Sequence, residues 1–349
     1  MQGYVKYLFL CLFFFLISPH WVLSQGCCSG GSGNPIAGGV SQGVLLDKQL
    51  ELSANYQYFI SKKFYAGDKD TIALLNNLSN NYLYFRVAYG LSQKLTMSVE
   101  GGYFINKSET GLNPDNIDNT KKSGGIADLI LFPRYTVYNK TNETKRTEIT
   151  LGMGLKIPLG KYNDSTLVFV HPVTGLRSYT TSPPTIQPTN GSNDFIFYGF
   201  VFREYKRLKF RIFANGLYVR KGWNPLGEKF GNYASVGLFA GKTFFKKLSI
   251  TLQLKGEWVD RMQAAPGLDI LALYNIDLNS TGSKKISFVP QLSYTYKSFT
   301  LFALSDVPIY QYLNGVQIGF QHQLTAGLSY RFFPVKSIFK VSPLEKFPN

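Results

Sequence analysis

From Leu50 onward the chain alternates apolar and polar residues over runs too long for most globular strands. Leu50, Leu52, Ala54, Tyr56, Tyr58 and Ile60 share one parity, and Glu51, Ser53, Asn55 and Gln57 the other. The pattern returns at Leu95, Met97, Val99, Tyr103 and Ile105 against Lys94, Thr96, Ser98 and Glu100. It recurs at Ile149, Leu151, Met153, Leu155 and Ile157, and again at Leu248, Ile250, Leu252, Leu254 and Trp258. A period of two sends neighbouring side chains to opposite faces of a strand, so each run has one apolar and one polar face. Runs of about ten residues exceed the common globular strand of about 5–6. They match the roughly 9–11 residues that a tilted strand needs to cross a bilayer.

The connectors point the same way. Twelve strands are expected near 50–60, 81–91, 94–105, 125–138, 147–158, 193–205, 208–220, 232–245, 247–259, 284–297, 299–306 and 318–333. Their links alternate in length. The long ones are 61–80, 106–124, 159–192, 221–231, 260–283 and 307–317. The short ones are Ser92-Gln93, 139–146, Lys206-Arg207, Lys246 and Ser298. Brief turns on one side, longer loops on the other and an even strand count characterise outer-membrane barrels. The fold class expected is therefore all-β, a transmembrane antiparallel up-and-down barrel over 50–333. Aromatic residues at strand ends, among them Tyr56, Tyr58, Tyr103, Trp258, Tyr330 and Phe332, suit the girdles at the two membrane surfaces.

Composition removes the rival classes. Apolar residues make up 44% of the 349-residue chain, too many for disorder. Mean hydropathy is −0.07, and past the N-terminus no apolar run approaches the roughly 18 residues of a membrane-spanning helix. The charge of +16 is spread over turns and rims, which suits anionic lipid headgroups and lipopolysaccharide better than nucleic acid.

Lys6 and the apolar run Tyr7–Ile17, followed by Val22 and Ser24, form the pattern of a cleaved signal peptide over 1–24. Export to a Gram-negative outer membrane follows. A lipid-modified Cys27 is the rival reading, but Ser24 stands where such signals usually carry leucine. The adjacent Cys27-Cys28 pair cannot join distant segments, and two thiols without a nearby histidine make a poor metal site. The Gly-rich leader 25–49 is either a lumen plug or a tether. Residues 334–349 are expected to form a periplasmic tail.

On the polar parity, twelve charged residues are expected to line the lumen: Glu51, Arg86, Glu100, Asp128, Arg134, Glu148, Lys156, Lys209, Arg211, Lys255, Glu257 and Arg331. Two roles fit them. Opposite charges brace the interior, or an excess of base attracts anionic solutes and sets selectivity. Phe195, Phe197 and Phe213 are placed inward as an aromatic contribution. No metal cluster, phosphate loop or nucleophile elbow is present in the sequence, and no cofactor is expected.

Several motifs resemble one family. Gly124-Gly125-Ile126-Ala127-Asp128-Leu129 with Pro133-Arg134-Tyr135, and the glycine strand 152–160 ending Lys156-Ile157-Pro158-Leu159-Gly160, are similar to patterns in the outer-membrane proteins named for the meta-pathway of phenol degradation. Gly191-Ser192-Asn193-Asp194-Phe195, Val307-Pro308-Ile309-Tyr310-Gln311 and Gly327–Phe332 resemble its later strands. The likeness spans roughly 124–333; the C-terminal tail and the Cys27-Cys28 leader depart from it. It implies a monomeric barrel, inserted by the barrel-assembly machinery, that passes or binds small aromatic or hydrophobic compounds.

Two alternatives follow from other features. Long Asn/Thr/Ser loops would suit a surface barrel that binds partners without transport. A lipid hydrolase of twelve strands would need a Ser–His pair with an orienting Asn; His322 is placed outward near the rim, but no serine partner is evident in the sequence. His171 stands in the longest loop without a second ligand or base. The expectation is a channel rather than an enzyme, gated by the 159–192 loop or by the leader.

Overall fold

A computed structural model describes residues 43–112 and 120–334. The signal peptide, Cys27, Cys28 and all but one residue of the tail lie outside the described residues. Twelve antiparallel strands close into a barrel. They are β1 (Leu50–Ser61), β2 (Asn77–Gly90), β3 (Leu95–Thr110), β4 (Asp128–Thr141), β5 (Lys145–Pro158) and β6 (Asp194–Tyr205). Next come β7 (Phe210–Arg220), β8 (Tyr233–Phe244), β9 (Leu248–Val259), β10 (Ser283–Tyr296), β11 (Phe299–Ile318) and β12 (Gln323–Phe332). Each strand pairs with its successor, and β12 returns to β1 through Leu50↔Phe332 to Phe59↔Gln323. Closure matters because hydrocarbon cannot satisfy the free N–H and C=O groups of a sheet edge.

The burial pattern is that of a globular protein turned inside out. Glu51, Glu100 and Asp194 are at most 1% exposed, whereas Leu252 and Leu254 on β9 are each 46% exposed. Trp258, Tyr103 and Tyr56 also point outward. In water this distribution would leave a continuous apolar belt uncovered; in a bilayer, lipid covers it.

Short turns gather at one end, which in this architecture faces the periplasm. The opposite, outer end carries the long connections, including a two-stranded sheet of Ser165–Val170 with Arg177–Thr181. One expectation fails here. The stretch 307–317, read as a loop, belongs to the 20-residue β11. Its alternation is broken by a register shift beside Ile286/Ser287 and by Gly315, which has a φ of +62°.

Candidate functional site in the barrel lumen

The inward face of β1–β5 carries a compact ionic array. Arg86 of β2 and Arg331 of β12 both donate to the Glu51 carboxylate of β1. On β3, Glu100 accepts from Tyr84 Oη and from Ser98 Oγ, the latter at 2.8 Å. Arg134 is buried here too, with its guanidinium 5.9 Å from the Phe132 ring centroid. Glu148 accepts from Arg146 at 2.6 Å and from Thr150 at 3.0 Å.

Toward the outer end, Lys156 of β5 stands 3.0 Å from Asp128 and 2.9 Å from Asp194. Lys221, just beyond β7, reaches the same Asp194 at 3.0 Å. Burial pulls the Lys221 ammonium below its ordinary pKa, and the Asp194 charge opposes that pull. A third cluster joins β9, β10 and β11: Lys255 pairs with Asp306 and, at 3.1 Å, with Glu257. Lys285 reaches Glu257 at 2.8 Å and lies 3.3 Å from the Phe320 ring centroid. In these clusters Glu51, Asp194, Glu257 and Asp306 are each paired with a buried or half-buried cation, as a low-dielectric interior requires.

Eleven of the twelve charged residues expected in the lumen stand on wall strands with their polar groups inside or at the inner face. Arg211 is among these, its guanidinium 3.4 Å from Thr251 Oγ1. Lys209 is the exception: it is exposed in the 206–209 turn, with a left-handed φ of +49° that closes the hairpin before β7 begins. The aromatic assignment also needs correction. Phe195 and Phe197 face outward, 52% and 43% exposed, while Ile196, Tyr198 and Phe200 of the other parity are buried. Both faces of β6 are apolar, so alternation could not reveal which one lay inside. Phe213 does point inward, stacked on Phe239 with centroids 4.3 Å apart and planes 13° apart. Phe132, Tyr198, Phe200, Phe202, Phe213 and Phe239 together give one side of the lumen an aromatic lining.

Chain crosses both mouths. At the outer end, the segment 182–192 after β5 folds inward and is buried almost throughout. Its Ile186, 0% exposed, packs against Phe59, Phe64, Leu78 and Ile318. Those residues belong to β1, β2, β11 and the link after β1, across the ring from β5 and β6 where the segment is rooted. Polar tethers hold its flanks: Lys107 Nζ donates to Gln187 O at 2.8 Å, Thr185 Oγ1 to Glu109 at 3.1 Å, and Lys156 to Asn190 Oδ1. At the periplasmic end, Val44 N donates to Glu148 Oε1 at 3.3 Å and Leu45 N to Thr96 Oγ1 at 2.8 Å. Residues 43–46 therefore run across the mouth from β5 toward β1. A Cβ on Gly43 would meet Glu148 Oε1 at 2.2 Å, so a larger residue here would have to displace the Glu148 carboxylate.

The wall itself has a seam. β11 pairs with β12 through Phe299–Asp306 and with Phe64–Gly67 from Leu313 onward, so on that side Val307–Tyr312 belong to neither ladder. A cleft of about 430 Å³ opens there, lined by Lys63, Tyr65, Pro308, Ile309, Gln311 and Phe320 among others. Beside it, Ser305 Oγ is hydrogen-bonded to His322 Nε2, a pairing that the sequence reading missed because the partner lies 17 residues away. The acid next to Ser305, Asp306, points into the lumen and is engaged by Lys255.

No family model matches the sequence, and no curated protein matches it. Among solved structures, the chain is similar to the COG4313 outer membrane channel from Pseudomonas putida F1, with a TM-score of 0.60 at 10% identity, covering 84% of this chain and 99% of that one. Weaker similarities include the KdgM porin (TM-score 0.37, 10% identity, 80% of this chain and 99% of that one) and a Pseudomonas aeruginosa FadL homologue (0.38, 7%, 82% and 90%). The fold is that of an outer-membrane β-barrel.

Proposed function

We propose that this protein is an outer-membrane channel for small molecules with an aromatic or apolar body, related to the transporters named for phenol degradation. The observation that carries this reading is the inner aromatic wall of Tyr198, Phe200, Phe202, Phe213 and Phe239. Tyr198, Phe200 and Phe239 are buried chiefly against neighbouring rings, and a solute entering the lumen would meet an apolar, aromatic face there. The interior cations Arg86, Lys156, Lys221, Lys255 and Lys285 are engaged by carboxylates. That argues for bracing by the charged array, and against an anion-selective field as its main role. Of the two crossings, segment 182–192 is the better gate, because it is rooted on one side of the ring and docked on the other.

Permeation into proteoliposomes tests the proposal. Phenol-sized aromatic solutes carrying a permanent charge, such as benzenesulfonate, which do not cross lipid unaided, should enter faster than sugars of similar mass, and replacing 183–191 by a short Gly-Ser link should admit both. A non-transporting surface barrel would pass neither, with or without the segment. A second reading concerns route rather than function: the seam beside Pro308 and Ile309 supports lateral passage of apolar solutes between lumen and lipid.

A further inference from the structure

Among the described residues, six other than glycine have a left-handed backbone: Lys48, Lys209, Phe245, Lys246, Asn275 and Lys297. Asn275 caps a short helix in an outer loop, a role asparagine fills readily. The other five all stand at the periplasmic end, and four of them are lysines. The turns make this choice unfavourable. Phe244–Lys247 closes with Lys247 N donating to Phe244 O at 3.1 Å, and φ is +52° and +60° at its two central residues. A tight hairpin of that kind favours Asn-Gly, not Phe-Lys. Lys209 and Lys297 likewise hold positions where glycine or asparagine would be less strained. Strain retained at one residue type on one rim points to a use for that residue type.

The side chains are arranged to match. Lys247 and Lys297 flank the Tyr296 ring at 5.4 and 5.5 Å, and Lys145 and Arg203 flank Tyr205 at 5.7 Å each. Between the cations the turns expose apolar tips: Leu91 at 54%, Leu208 at 65% and Phe245 at 87%. The described acids near this rim are Asp47, Glu143 and Glu204, whereas the outer loops mix Asp68, Asp70, Asp260, Asp269 and Asp277 with their lysines. Cation, aromatic ring and exposed apolar tip in alternation fit the headgroup–acyl boundary of a membrane, where each finds its own layer. A purely carboxylate polymer would leave Phe245 and Leu208 in water.

We infer that the periplasmic rim is a binding belt for anionic glycerophospholipid headgroups, with Lys48, Lys209, Lys246 and Lys297 as its phosphate-contacting residues. The belt holds the barrel at fixed depth in the leaflet facing the periplasm. It is independent of what the lumen carries.

Native mass spectrometry of the mature protein, taken from micelles with equal phosphatidylglycerol and phosphatidylcholine, tests this. The wild type should retain phosphatidylglycerol preferentially, and 0.5 M salt should erase the preference. In the K209N/K246N/K297N variant the preference should fall by about tenfold or more, given how strongly each surface lysine attracts anionic lipid. Asparagine accepts the left-handed backbone, so the thermal midpoint should hold or rise, separating lost binding from lost folding. Equal retention of the two lipids by the wild type overturns the inference. So does an unchanged preference in the variant, including the case where the variant loses only its sedimentation with isolated peptidoglycan.

Discussion

Lys156 Nζ lies 2.9 Å from Asp194 Oδ2, joining adjacent strands at the root of the segment that crosses the outer mouth. The same ammonium reaches Asp128 at 3.0 Å and donates to Asn190 Oδ1. One cation thus ties two wall carboxylates to the crossing segment. K156A would leave those carboxylates buried with Lys221 as their remaining cation. The barrel should lose about 3 kcal/mol or more of stability in urea titrations, and conductance should rise as the segment loosens.

Ile186 tests the far end of the same crossing. I186A removes its packing against Phe59, Phe64, Leu78 and Ile318, weakening docking by about 2–4 kcal/mol. Because the wall ladders are untouched, the thermal midpoint of the barrel should shift little. Channel openings in planar bilayers should become longer or more frequent.

The aromatic wall makes a prediction about selectivity rather than stability. F213A removes the ring stacked on Phe239, and such contacts contribute roughly 0.5–1.5 kcal/mol. Permeation of the charged phenol-sized solutes should fall several-fold relative to sugars. An equal change for both classes would show that the rings only fill space.

Much of this architecture was legible in the chain. On β1, β5 and β9 one face meets lipid and the other a polar lumen, so alternation is clean and Glu51, Glu148 and Lys255 could be placed inward. On β6 both faces are apolar, one for lipid and one for the aromatic wall, so parity alone puts Phe195 and Phe197 on the wrong side. Parity misplaces Lys209 because a left-handed turn consumes a residue that it counts as strand. The crossing segment could be suspected only as a long loop. Its Thr185, Gln187, Thr189 and Asn190 look like surface residues, yet Glu109, Asp128 and Lys156 of the wall engage three of them, and backbone atoms of Asp164 and Ser182 engage Gln187. Lys221 and Lys285 gave no signal at all; what makes them interior is the ring closing around them.

The Ser305–His322 pair offers a test of the enzyme alternative. A hydroxyl–imidazole pair needs an orienting group and an oxyanion site to cleave esters, and Asp306 is turned inward toward Lys255. The purified protein should show no turnover of short-chain or phospholipid esters above background. Activity abolished by S305A and by H322A would replace the channel reading with a hydrolase.

His322 also gives a pH signature. Burial lowers its pKa from the ordinary 6.5, with Asp306 opposing. The unfolded chain therefore binds this proton more readily than the folded one, and stability contributed here is lost as pH falls below that ordinary value. Thermal midpoints of wild type and H322Q should differ by a constant amount above neutrality, and the wild type should fall further on acidification.

The most direct test of the account is planar-bilayer conductance of the mature protein beside a variant with 183–191 replaced by Gly-Ser. A membrane-spanning barrel stoppered by that segment predicts small or rare openings for the wild type and large, steady ones for the variant. Two equally silent proteins, both correctly folded and inserted, would contradict it.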